Sequence, residues 1–235
     1  MNDADKPEFD RYAASYDALH AASIKASGEE PAYFAAYKAK FMARQLAADA
    51  RQIEAPSVLD FGCGVGNSIG HLRAAFPAAA LHGADLSSAS IALASAAHGD
   101  AASFTVIEDA RLVHPNAAFD MVFVACVFHH IAPAQRLHWM QELRRVLRPG
   151  GQIFVFEHNL LNPLTVKSVR DCPFDEDAIL LPRHELLGLV QQAGFASIHA
   201  RYIVFFPHAL AALRPLEPWL GWLPLGAQYV VHATA

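Results

Sequence analysis

The chain has 235 residues, 54% of them apolar and 17% charged, with a formal net charge of −5. That length and composition suit one α/β domain with a large core and exclude a disordered chain. The acidic balance argues against a nucleic-acid binder, which carries a basic patch or stripe. The one compact basic cluster, Arg144, Arg145 and Arg148, closes a predicted helix, where cations offset the helix dipole.

In chain order, the opening Met1–Lys6 is polar and acidic and does not read as a secretory signal. Residues 9–50 read as helical and alanine-rich. Phe9, Tyr12, Tyr16 and Leu19 recur at roughly helical spacing, and a second helix over 31–49 opens on Pro31. From residue 57 onward, strands and helices alternate. Strands are predicted at 57–61, 80–84, 103–107, 119–127 and 152–156, and helices at 68–76, 88–97 and 133–147, the second capped by a serine. This alternation implies a parallel sheet covered on both faces, with ligands at the carboxyl ends of the strands.

After Asn159 the pattern loosens. Residues 160–177 read as a loop-rich insert, 182–193 as a helix stopped by Gly194, and 196–206 and 227–233 as two strands forming an antiparallel edge. The segment 218–235 lacks formal charge, but Pro218, Gly221, Pro224 and Gly226 break any membrane-spanning helix, so no stable membrane insertion is expected. Cys63, Cys126 and Cys172 are widely separated, which points to a reducing, cytoplasmic setting without a disulfide framework.

The most informative stretch is Val58-Leu-Asp-Phe-Gly-Cys-Gly-Val-Gly-Asn67. It reads as buried strand, tight glycine loop, then helix. Such a loop lets a nucleotide-like ligand approach the backbone. Gly62, Gly64 and Gly66 miss the G-x-G-x-x-G spacing of dinucleotide folds, since Asn67 and Ile69 stand where a further glycine is needed. Asp60, just before the glycines, repels a pyrophosphate and attracts a sulfonium or ammonium. The loop therefore suits S-adenosylmethionine better than NAD.

Three further landmarks follow in order: Gly83-Ala-Asp-Leu-Ser87, Glu108-Asp-Ala110 and Leu143-Arg-Arg-Val-Leu-Arg-Pro-Gly-Gly151. Together with the glycine loop they make residues 50–160 resemble the class I S-adenosylmethionine-dependent methyltransferases, in the small-molecule branch of the type 11/12 kind. The resemblance implies an α/β, Rossmann-like, doubly wound sheet. Seven strands are expected, mostly parallel with the last antiparallel, beneath a helical N-terminal lid. A single domain is expected, with residues 1–50 as cover, 51–160 as cofactor-binding core and 161–235 as the acceptor side.

It also implies roles. Asp60, Gly62, Cys63, Gly64 and Gly66 surround the methionine and ribose of the donor. Asp85, followed by Leu86, accepts the ribose hydroxyls. Asp109 accepts the adenine amine, with Ala110 giving a backbone contact; the alternative for Asp109 is an exposed loop carboxylate. Cys126 and Val127 line the donor pocket, and Tyr16 belongs to a lid formed by residues 12–17. For Cys63 the residues themselves suggest only a small buried filler. His129 and His130 point in different directions, so at most one faces the donor methyl. Acid–base work by that histidine and simple shaping of the pocket both stand. Glu157 and His158, ending strand five, are candidates for binding or deprotonating an acceptor. No metal site is expected, because the family's metal-dependent members use carboxylate-rich sets.

The implied reaction is in-line SN2 transfer to a small, largely apolar or lipid-like acceptor, oxygen favoured, releasing S-adenosylhomocysteine. Phe174, Phe205, Phe206, Trp219 and Trp222 are expected on the acceptor side. Two other classes remain at this stage: a catalytically silent binding protein of the same fold, and a nicotinamide-dependent oxidoreductase, against which the glycine spacing and Asp60 speak.

Overall fold

A computed structural model of the chain describes residues 8–47 and 53–235. The polar opening and the end of the second predicted helix lie outside the described residues. Seven strands form one sheet: β1 (Ser57–Phe61), β2 (Ala80–Asp85), β3 (Ala102–Val106), β4 (Phe119–Ala125), β5 (Leu147–His158), β6 (Ala196–Ile203) and β7 (Gln228–Thr234). Their order is β3-β2-β1-β4-β5-β7-β6. Neighbours from β3 through to β5 run parallel, and β7 runs antiparallel to both β5 and β6. The expected doubly wound, mostly parallel sheet with a reversed last strand is therefore present. One detail differs: β7 lies inside the sheet, between β5 and β6, and β6 forms the edge.

The strands are apolar on both faces because helices cover both. Leu59, Val122, Val124 and Val155 pack on one side with α5 (Pro133–Val146) and α7 (Arg183–Gln192). Val58, Phe123, Phe154 and Phe156 pack on the other with α2 (Pro31–Ala47) and α3 (Ile69–Ala75). Each fully buried aliphatic or aromatic side chain contributes about 1.5–3 kcal/mol relative to its exposed state. That makes Asp60, at 2% exposure in the middle of β1, a costly residue in need of a reason.

Several boundaries differ from the sequence reading. β4 stops at Ala125 rather than 127, because Cys126 takes a φ of 59°. β5 begins at Leu147, so the Arg-Pro-Gly-Gly turn is absorbed into the strand, with a register shift opposite Phe119 and Met121. The loop-rich insert holds a helix, α6 (Pro163–Arg170), started by Asn162, whose side chain accepts from the backbone N–H groups of Leu164 and Thr165. A serine does cap α4 (Ser88–His98): Ser87 accepts from Ser90 N–H. Strand order reverses between β1 and β4, so the carboxyl ends of these two strands open the crevice where doubly wound sheets bind ligands.

The tail is divided. Residues 228–234 are a core strand, whereas Trp219 and Trp222 are 71% and 74% exposed and lie away from the acceptor side expected of them. Among the described residues, no helix is long and apolar enough to cross a membrane.

Candidate active site

A cavity of about 510 Å³ opens at this crevice. Part of its wall is the glycine loop. Gly62 and Cys63 donate their N–H groups to Ala84 O at 2.8 and 3.2 Å, tying the loop to β2. Gly62 has φ +71°, and a Cβ there would lie 2.4 Å from Val127 Cγ2. The chain end of β4 thus sits directly against the loop, which only glycine permits. At Gly64, φ +52°, an added Cβ would meet open space, because that position faces the cavity.

Asp85 bridges the loop to the start of α4. One carboxylate oxygen accepts from Gly64 N–H at 2.8 Å and the other from Ser87 N–H at 2.9 Å. A carboxylate offers about four acceptor positions, so both oxygens retain capacity for a ligand. Asp60 is different: its Oδ2 is buried without a hydrogen-bond partner among the described residues. Burial pushes its carboxyl up to about 8, Asp85 adds to the rise, and Lys38 opposes it. An orphaned buried carboxylate oxygen beside a glycine cradle fits a cationic, nucleoside-bearing ligand such as S-adenosylmethionine. Cys63 takes no part as a nucleophile: burial drives its thiol far up, and its Sγ lies 2.8 Å from where a Cβ on Gly83 would be.

The segment around α1 (Tyr16–Ser23) packs against the glycine loop and the start of α4. Tyr16, at the start of α1, stacks on Phe174 with ring centroids 4.7 Å apart. Two side-chain bonds clip the same segment down. Asp17 accepts from Asn67 Nδ2 at 2.6 Å, and Asp10 accepts from the Ser87 hydroxyl. Asn67, the residue that spoils the dinucleotide spacing, thus anchors this segment. Replacing Phe174 with alanine removes the stacking surface, worth about 0.5–1.5 kcal/mol beyond buried area. Faster amide exchange over residues 10–20 is the expected result, with donor affinity reduced several-fold; unchanged exchange would show that the clips alone hold the segment.

The histidines border the same cavity. A single 3-10 turn, Phe128–His130, follows β4. His129 is 1% exposed; its Nδ1 lies 2.6 Å from Glu157 Oε2, while Glu157 Oε1 accepts from Phe128 N–H at 2.8 Å. Asp175, from the loop after α6, brings its Oδ1 to 3.5 Å from His129 Nε2 and 3.2 Å from His130 Nε2. Burial disfavours the imidazolium of His129, but Glu157 and Asp175 outweigh it and push the ring up to about 10. His158, its ring centroid 5.1 Å from that of His129, goes the other way: burial and the charge on His129 push it down to about 4.

Of the residues singled out in the sequence, Tyr16, Asp60, Gly62, Cys63, Gly64 and Asp85 line the cavity, as do Leu86, Cys126, Val127, His129, His130 and His158. Four do not. Gly66 packs on α4, where a Cβ would meet His98 at 2.9 Å. Asp109 and Ala110 sit in the turn after β3 with φ of 52° and 50°, and Ile107 lines the cavity from that strand end instead. Glu157 stands behind His129, wholly buried. Lys38 and Asp175 are among the cavity residues that the sequence reading does not single out. Lys38 occupies the apolar face of α2 one turn after Phe34, an anomaly visible in the spacing. Asp175 lies in a loop 45 residues beyond His130, and nothing local marks it.

Residues 58–151 match the family described as "Methyltransferase domain". This segment is a methyltransferase domain. The domain is similar to the malonyl-[acyl-carrier protein] O-methyltransferase of Hahella chejuensis. Identity is 35% over 97 residues, covering 41% of this chain and 34% of that protein. It is also similar to the demethylmenaquinone methyltransferase of Thermus thermophilus, at 33% over 118 residues, covering 48% and 53%. The chain thus spans about a third to a half of the length of these relatives. A solved S-adenosylmethionine-dependent methyltransferase from Aquifex aeolicus shares the methyltransferase fold over 96% of this chain and 97% of its own, with a TM-score of 0.62 at 14% identity.

Proposed function

We propose that the protein transfers the methyl group of S-adenosylmethionine to an oxygen of a small, largely apolar acceptor. One observation carries this reading: a single cavity is lined by Asp60 and the glycine loop, by Phe34, Phe174, Phe205 and Phe206, and by the His129–Asp175 cluster. An apolar chamber with a few convergent polar groups is the usual form of a small-molecule site. The two relatives are named for acceptors of different chemistry, so the acceptor is argued from the chamber.

S-adenosylmethionine, when bound, supplies a methyl carbon on a positively charged sulfur. Asp60 faces that charge, Asp85 holds the ribose, and the Tyr16 lid excludes water. The chamber fixes the acceptor in line, and alignment with desolvation is where most of the acceleration arises. The acceptor oxygen forms the new bond to carbon, the sulfur keeps the electron pair, and the hydroxyl proton leaves on the side of the histidine cluster. Incubation with methyl-labelled donor and a panel of hydroxylated aromatic and lipid-like compounds tests the reading. Label on oxygen supports it; label only on nitrogen or carbon, or none on any compound despite donor binding, overturns the oxygen assignment.

Donor binding should also be linked to protons. Asp60 has a folded-state pKa of about 8, above the ordinary 3.8. A raised carboxyl favours the neutral form: its contribution to stability is full below the ordinary value and is lost as pH rises through 8. A bound cation reverses this by demanding the carboxylate. Affinity for S-adenosylmethionine is therefore expected to rise between pH 6 and 8, by at most about tenfold per pH unit, and level off above. Calorimetry in buffers of different ionisation enthalpy should register the proton released. Asp60→Asn should flatten the profile; a slope surviving in that variant would assign the proton elsewhere.

A further inference from the structure

We infer that His129, His130 and Asp175 form a binding site for a divalent transition-metal ion of the zinc type, in the wall of the cavity. The geometry accommodates a shared ion as well as direct ion pairs. An imidazolium–carboxylate hydrogen bond spans about 2.7–2.9 Å, and His129 makes a short one to Glu157, at 2.6 Å. Asp175 makes none so short: one oxygen, Oδ1, stands 3.5 Å from one ring nitrogen and 3.2 Å from another. Ligand atoms bound at about 2.0–2.1 Å in a tetrahedral shell lie about 3.3–3.4 Å from each other. All three donor atoms fall within 4.8 Å of one another.

The surroundings match as well. Glu157 holds His129 by Nδ1, which leaves Nε2 directed at the cluster. A carboxylate behind a histidine is the arrangement that orients metal-bound imidazoles. Two imidazoles and one carboxylate suit zinc, cobalt or ferrous ions and not magnesium or calcium, which take oxygen ligands. Three protein ligands leave a position open, and all three residues line the cavity. A hydroxyl bound there loses its proton to bulk water more readily, and the oxygen then takes the methyl carbon while the sulfur keeps the electron pair. This role rests on the proposed methyl transfer; the binding of the ion does not.

The test uses the full chain, stripped with a chelator and then titrated with zinc, with cobalt in parallel as a spectroscopic probe. Donor affinity is measured on the same samples. One zinc bound per chain is expected, with the visible absorption of four-coordinate cobalt. Asp175→Asn and His130→Gln should each weaken zinc binding about 10- to 100-fold, with circular dichroism and donor binding showing that the variants remain folded. Donor binding without one-to-one zinc binding by the unsubstituted protein would overturn the inference and leave the donor reading intact. So would zinc binding equal in the parent and both folded variants, since the chain has 13 histidines that could hold it elsewhere. Zinc binding without donor binding would support the ion site and remove the methyl-transfer role.

Discussion

Asp85→Ala is expected to lower the affinity for S-adenosylmethionine by about 100-fold or more, equivalent to about 2.7 kcal/mol. Two losses combine. The ribose loses its acceptor in the proposed complex, and two backbone donors lose theirs. Gly64 N–H and Ser87 N–H both point at this carboxylate, from opposite sides of the crevice. Leaving a buried donor unpaired costs about 1–3 kcal/mol, so the glycine loop and the start of α4 are expected to relax apart. The same side chain thus assembles the site and occupies it.

Asp85→Asn separates the two contributions. Its amide oxygen can still accept from one of the N–H groups, while its NH₂ faces the other donor to donor. An intermediate affinity is expected, with a smaller drop in thermal midpoint than for alanine. Calorimetric titration and thermal unfolding read both quantities. Affinity within threefold of the parent for Asp85→Ala would remove the ribose assignment.

The features legible in the sequence are those with local causes. The run from Val58 to Phe61 followed by Gly62, Gly64 and Gly66 announced strand and loop. Ser87 announced its helix, because that effect acts within a few residues. Strand order within the sheet is another matter. The apolar pattern of residues 228–234 specifies a strand but not that it inserts between β5 and β6. Asp109 lies after β3, where the sequence places it, and there the backbone turns at φ 52° and the side chain is exposed. Asp175 was unreadable for a physical reason. Its partners lie on the turn after β4, and only the docking of the α6 segment over that turn brings the charges together. Asn162, which starts α6, also donates to Leu225 O at 2.8 Å, so the tail helps to hold the insert.

The largest loss of stability is expected from Arg136→Met. Arg136 is 1% exposed, the largest of the fully buried side chains, and it organises the turn that carries both histidines. Its Nε donates to Phe128 O at 3.2 Å and Ile131 O at 3.0 Å, and one terminal nitrogen donates to Ile179 O at 2.7 Å. The other donates to Glu185 at 3.0 Å. Ile179 N–H in turn donates to His129 O at 2.8 Å, so the guanidinium joins the loop after Asp175 to the histidine turn.

Methionine fills the space but leaves three carbonyls without this donor. Removing one partner of such a buried charged network costs about 3–5 kcal/mol. That corresponds to a fall in thermal midpoint of about 10 °C for a chain of this size. Arg136→Lys should recover little, because an ammonium cannot reproduce the planar fork. Glu185→Ala should cost under about 1 kcal/mol, since that carboxylate is half exposed and exposed pairs are weak. The contrast between the two ends of one ion pair is the sharp part of the expectation. If Arg136→Met and Glu185→Ala shifted the midpoint equally, the ion pair rather than the carbonyl cage would be holding the turn. Position 136 would then have no special claim on the geometry of His129 and His130.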